Sequence, residues 1–261
     1  TPNSELLIVN AAMKNDYQLL LSLPPAAVEH VSALDACLPR DVFAVNDPPG
    51  VKLGSGGGLV HVLASAWREQ GAGVALEAWL NARQRLVIHS GGQSRRCPAY
   101  AAEGKVLTPM PVLRWSYGQR LDQTLLDLQR PFIDDALQSA PDTLVAGVYS
   151  GDVLLHGRAP AELPDVDVVC VGLWTSPEAA TRHGVFFCDR KEPECLRFMR
   201  QKPSAAEIRE FGRDALFLID SGFWLFSERA VRTLFEACGW DGSEFDGGVP
   251  AFYDLYTTFG T

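Results

Sequence analysis

The residues best suited to chemistry lie between Gly91 and Lys105, in the run Gly-Gly-Gln-Ser-Arg-Arg-Cys-Pro-Ala-Tyr-Ala-Ala-Glu-Gly-Lys. A short apolar stretch, Arg85 to His89, feeds into it and reads as a buried strand. Gly91 and Gly92 let the backbone approach a ligand closely. Inward-turned N–H groups of such a loop, which continues through Gln93 and Ser94, form an anion cradle. Arg95 and Arg96 add forked donors that match phosphate oxygens, and Lys105 adds a mobile point charge. A glycine pair alone would be only a turn. Strand, glycine turn, two arginines and a lysine together point to phosphate.

Further groups could share that site. Asp152 follows the apolar run Thr143 to Ser150 as Ser-Gly-Asp. Near a phosphate cradle, a hard carboxylate is what magnesium needs to bridge protein and nucleotide oxygens; alone it would be a turn aspartate. Asp220 interrupts the apolar stretch Ala215 to Phe226, where a carboxylate is costly unless paired or metal-bound. It is a candidate second metal ligand, with pairing to Arg213 the other reading. Lys202, in Gln-Lys-Pro, is either a surface lysine or a holder of a second substrate's phosphate. A second glycine loop, Gly54 to Gly58, includes Gly56 and Gly57. It either offers helix-terminal N–H groups to an anion or packs a tight helix start. Asp165 and Asp167 read as solvated edge charges, and His89 as a packed strand histidine or a residue that orients the loop.

These groups need a frame. Strands are expected at Leu6–Ala12, Asp41–Asn46, Arg85–His89, Thr143–Ser150, Val166–Leu173, Val185–Cys188, Cys195–Gln201 and Ala215–Phe226. Helical spacing is expected at Asp16–Leu23, Ala26–Leu38, Leu59–Gln70, Val74–Arg83, Leu121–Leu137, Pro177–Arg182, Ser204–Phe211 and Glu228–Cys238. Such alternation predicts an α/β protein with an open, mostly parallel sheet, its ligands at the carboxyl ends of the strands. The 261 residues and 47% hydrophobic content suffice for one sizeable core. A net charge of −9 argues against nucleic acid or an anionic membrane as partner, so cations for a polyphosphate must be concentrated locally. No apolar run reaches the ~20 residues of a membrane span. The six cysteines have no zinc-like spacing and suit reduced thiols of a cytoplasmic protein. The terminal sequences suggest a piece of a longer polypeptide.

The chain resembles a sugar nucleotidyltransferase at Gly91, Gly92, Arg96 and Lys105, although Ser94 replaces a glycine and Arg95 a threonine of the usual loop. The closer resemblance is to the fucose-1-phosphate guanylyltransferase (GDP-L-fucose pyrophosphorylase) family, including the N-terminal half of bifunctional bacterial members that also carry a fucokinase. It is borne by Gly54–Gly58, Ile88–Tyr100, Gly104–Val112 and Phe252–Tyr256, and covers nearly the whole chain. It implies a Rossmann-like nucleotidyltransferase domain over residues 1–261, without the family's β-helical and kinase parts. It implies GTP and L-fucose 1-phosphate as substrates, GDP-L-fucose and pyrophosphate as products, and Mg2+ or Mn2+ as cofactor. Arg96, with Arg95, would grip the triphosphate and Lys105 would neutralise the reacting phosphates. Asp152 and Asp220 would hold the metal, and Lys202 the sugar phosphate. Two rival readings remain: a sugar kinase that uses the Gly54–Gly58 loop, and a nucleotide-binding module without turnover.

Overall fold

The computed structural model describes residues 17–31, 38, 41–71, 73–91, 104–110 and 123–258. The expected strand at Leu6–Ala12 lies outside them, as do Gly92, Gln93, Ser94, Arg95 and Arg96. The chain opens on β1 (Gln18–Ser22), followed by α1 (Pro25–His30), β2 (Phe43–Val45), α2 (Gly54–Gln70), α3 (Leu76–Asn81) and β3 (Arg85–His89). After a 3-10 turn at Lys105–Leu107 come α4 (Leu125–Gln138), β4 (Leu144–Ser150), β5 (Val168–Leu173) and α5 (Pro177–Ala180). The hairpin β6 (Gly184–Asp189) and β7 (Leu196–Gln201), α6 (Ala205–Phe211), β8 (Ala215–Ser227), α7 (Glu228–Ala237) and α8 (Leu255–Thr258) complete it.

The sheet is mixed rather than mostly parallel. Three pairings, β1 with β2, β1 with β3 and β3 with β4, are parallel. The remaining four, β4 with β8, β5 with β8, β6 with β7 and β6 with β8, are antiparallel. The change of direction has a simple cause. A parallel neighbour needs a crossover, which α1, α2–α3 and α4 supply in turn. Beyond β4 the pairing changes because the long β8, which follows α6, runs against β4, β5 and β6 alike. The segment expected to be helical at Asp16–Leu23 is largely β1: its five residues are buried on both faces between β2 and β3, and Pro24-Pro25 stops them.

Two apolar layers cover the sheet. Alternation along β1 and β3 sends Leu20 and Val87 towards α2, α3 and α7, and Leu19, Leu21, Leu86 and Ile88 towards α1 and α4. A smaller cluster of Val185, Phe187, Ile208 and Ala215 fixes α6 to the antiparallel end. Thr124 and Ser204 start α4 and α6 with reciprocal capping boxes to Asp127 and Glu207, as the Ser204 spacing predicts. Asp167 is no free edge charge: it accepts from Ser227 Oγ at 2.7 Å and Arg229 Nε at 3.0 Å, which ties the start of β5 to α7.

Candidate active site

The loop expected to bind phosphate is anchored at both ends on one buried residue, Ser90. Its backbone N–H donates to Ser22 O at 3.0 Å at the end of β1, and its carbonyl accepts from Lys105 N at 3.4 Å. Its hydroxyl accepts from Val106 N at 2.7 Å. Gly104, at φ 79°, makes the return, because a Cβ there would lie 3.0 Å from Leu23 and 3.2 Å from Ser90 Oγ. Gly91 also lies at this rim, where a Cβ would come within 3.3 Å of Ser22 Oγ. Lys105 is thereby carried to the carboxyl end of β3.

Asp152 is brought to the same place by a different set of contacts. Gly151 N donates to His89 O at 2.9 Å, and a Cβ on Gly151 would meet that oxygen at 2.8 Å. Only glycine lets the ends of β3 and β4 approach so closely. The buried Gln129 of α4 donates to Gly151 O at 3.1 Å and Val153 O at 2.6 Å, and Tyr149 Oη donates to Val153 O at 3.2 Å. The turn is held from three sides. Lys105 Nζ then donates to the Asp152 carboxylate at 2.7 Å, with both side chains partly open to solvent.

Asp220 sits on β8, where Gly222 at φ 75° accommodates a bulge between two halves of the strand. The half before it pairs with β6 and the half after it with β4. The Asp220 carboxylate accepts from Gly222 N at 2.8 Å and Trp224 Nε1 at 2.9 Å, not from Arg213. Burial pushes its pKa above the ordinary carboxylate value, while those hydrogen bonds and His183 pull the other way. Next to that indole, Tyr256 of α8 packs edge-on against Trp224 at 6.1 Å. Burial, then Asp220, Asp254 and Asp152, push its hydroxyl up to about 12. Asp152 and Asp220 are therefore both within electrostatic reach of one phenol.

Lys202 ends β7 at φ 49°, and its N–H donates to His183 O at 2.9 Å. A Cβ on Gly184, the residue after His183, would lie 3.4 Å from Asp220 Cβ, so the Lys202 backbone borders the Asp220 side of the site. Gly56 and Gly57 are used otherwise. Their N–H groups donate to Tyr253 O at 2.9 and 3.1 Å, and Cβ atoms there would meet Tyr253 Cδ1 at 2.6 Å and Ala251 O at 2.7 Å. Ser55 Oγ bonds Asp254 at 2.8 Å and accepts from Leu255 N at 2.9 Å. This glycine run is the close-packed helix start of the second reading, seated on the 251–255 segment. Tyr253, Asp254, Tyr256, Trp224 and Gln129 shape the site without having been singled out as site residues. The Phe252–Tyr256 run was conspicuous in the sequence only as part of a longer resemblance.

Comparison with known proteins agrees with this frame. Residues 78–246 match the profile of the fucose pyrophosphorylase domain, a span that holds β3, Lys105, Asp152, Lys202 and Asp220. The chain belongs to the fucose pyrophosphorylase domain family. It is 46% identical over 244 residues, 93% of its length, to an L-fucokinase/L-fucose-1-P guanylyltransferase of Bacteroides fragilis, of which it covers 25%. It is 30% identical over 177 residues to a fucose-1-phosphate guanylyltransferase of Homo sapiens, spanning 63% of this chain and 27% of that protein. A bifunctional fucokinase/GDP-fucose pyrophosphorylase of Arabidopsis thaliana is 25% identical over 207 residues, 69% of this chain and 19% of the relative. The chain thus spans about a quarter of the length of these curated relatives. Among the described residues, no helix is long and apolar enough to cross a membrane.

Proposed function

We propose that this chain joins GTP and L-fucose 1-phosphate to give GDP-L-fucose and pyrophosphate, on a Rossmann-like nucleotidyltransferase domain formed by residues 1–261. A phosphate oxygen of fucose 1-phosphate attacks the α-phosphorus of GTP. The bond from that phosphorus to the bridging oxygen breaks, and pyrophosphate leaves with the electron pair. Such a displacement needs alignment and charge neutralisation and no covalent enzyme intermediate. The observation that carries the reading is the Lys105–Asp152 pair at the carboxyl ends of adjacent parallel strands, with Asp220 in reach of the same phenol as Asp152. That pair supports a cation for phosphate beside a carboxylate suited to a metal, inside a domain matched by relatives that bear this activity in their names.

In this reading Lys105 leaves Asp152 for the reacting phosphates when substrate binds. Arg96 and Arg95, with the backbone of Gly91, Gly92, Gln93 and Ser94, grip the triphosphate. Gly56 and Gly57 shape the nucleotide site by letting α2 pack close to it. Lys202 holds the sugar phosphate. The donor set fits Mg2+ or Mn2+: both acids are hard oxygen ligands, and Asp220 is a half-buried carboxylate whose charge burial disfavours. The metal would be held by Asp152 and Asp220 and would supply charge neutralisation at the phosphates. We place the reaction in the cytoplasm, in a polypeptide continuous with further domains, as the bifunctional names of two relatives support.

The test is a nucleotide screen for pyrophosphate release with fucose 1-phosphate and Mg2+. Release with GTP is expected. ADP formed from ATP and free fucose would point instead to the kinase reading, which is disfavoured because the Gly56 and Gly57 amides are already bonded to Tyr253. Nucleotide binding without any product would point to the non-catalytic module.

A further inference from the structure

His89 has no role in the reaction scheme above, yet its side chain is placed unlike those of its strand neighbours. Alternation along β3 turns it to the face that carries Val87 and α2. There it closes one end of a small cleft of about 30 Å3 between α2, the β8 bulge and α8, with Ser150, Gly222, Trp224 and Tyr256 among the other walls. Two of those walls exist because a Cβ is missing. A Cβ on Gly58 would press on His89 Cε1 at 3.2 Å, and one on Gly222 would lie 2.6 Å from Ser150 Oγ. The Nε2 atom of His89 is shielded from solvent and has no hydrogen-bond partner among the described residues. An unsatisfied buried polar atom costs about 1–3 kcal/mol, so a native structure that keeps one at a cleft calls for a partner.

Size and charge limit what that partner is. A cleft this small holds no more than a few water-sized groups, so it takes a small polar group and no planar ring. Burial holds the imidazole below its usual 6.5, hence neutral at pH 7, and a neutral ring suits an uncharged group better than a phosphate oxygen. Apart from the exocyclic groups held on the planar base, the uncharged polar groups of this size on the two substrates are hydroxyls.

We propose that His89 is a specificity-determining residue that hydrogen-bonds one hydroxyl of the nucleotide ribose or of the sugar phosphate through Nε2. This rests on the guanylyl-transfer reading. The test is steady-state pyrophosphate release by the full-length protein, wild type and His89→Leu, with GTP, 2′-deoxy-GTP, 3′-deoxy-GTP and fucose 1-phosphates lacking one hydroxyl each. Removal of the hydroxyl that His89 holds is expected to lower wild-type kcat/KM about 10-fold, the scale of one neutral hydrogen bond. His89→Leu should lose about as much with the parent substrates, chiefly through KM, and nothing further with that one analogue. The analogue for which the two losses fail to multiply tells ribose from sugar. His89→Gln, which keeps a hydrogen-bonding group, should retain part of the discrimination and carries the same cycle if His89→Leu melts early. Losses that multiply for every analogue, or a His89→Leu enzyme with wild-type constants, would overturn the assignment while leaving the guanylyl-transfer reading intact. A wild type that releases no pyrophosphate overturns both.

Discussion

Lys105 and Asp152 form an ion pair whose partners are each partly exposed, with side chains 35% and 55% accessible. Such a pair contributes little to stability, on the order of 0–1 kcal/mol, so its presence at a strand end is better explained by chemistry. Lys105→Ala should leave the thermal midpoint nearly unchanged and lower kcat by ~100-fold or more, as for the loss of one charge-stabilising donor. Arg96→Ala should do the same to turnover; near-wild-type rates for both would count heavily against guanylyl transfer. Asp220 is the opposite case, because its burial disfavours the charge it must carry. In metal-free buffer Asp220→Asn should be at least as stable as the wild type, since it removes an incompletely compensated buried charge and keeps an oxygen for Trp224 and Gly222. Adding Mg2+ should raise the melting temperature of the wild type and not of the variant, and turnover should be lost. Equal Mg2+ stabilisation of both proteins would remove Asp220 from the metal site.

At the scale of elements, the site depends on two adjacent parallel strands ending close together. His89 and Ser150 are register partners, and Gly151 is the residue that lets the chain turn there. Gly151→Ala would put a methyl carbon 2.8 Å from a backbone oxygen, which cannot move aside as a flexible side chain could. Overpacking of this kind costs about 1–3 kcal/mol and would displace the turn that presents Asp152 to Lys105. A lowered urea midpoint together with reduced kcat is expected. A variant with wild-type stability and rate would mean that the approach of β3 and β4 is slack. The Ser204 capping box and the β3 and β4 strands were legible in the sequence because each is a local signal with its own punctuation. β1 was not, since three successive leucines between Gln18 and Ser22 carry no period that separates a strand from a short helix.

Over the whole molecule, the first turn of α2 is completed by a segment almost 200 residues away. Tyr253 O accepts from Gly56 and Gly57, Ser55 bonds Asp254, and Leu255 and Tyr256 close the cleft against Trp224. Removing residues 251–261 should therefore free these groups together, lower the melting temperature by several degrees and abolish turnover while β1–β4 remain paired. Amide hydrogen exchange would check it, with protection expected to fall first in the opening turn of α2. Unchanged protection there would mean that the turn is held by the sheet alone.

The sequence by itself determined the chemistry on offer: cations after one strand, a carboxylate after a second and another within a third, and a resemblance borne by Gly91, Gly92, Arg96 and Lys105. Those are one-dimensional facts, set by residue type and spacing. Only the tertiary structure decided that the sheet reverses direction after β4, that the second glycine run is packed against Tyr253, and that Asp152 and Asp220 act on the same phenol. Each is a contact between residues distant along the chain, fixed by which faces are left to bury once the local elements exist, and no window of local sequence carries that information.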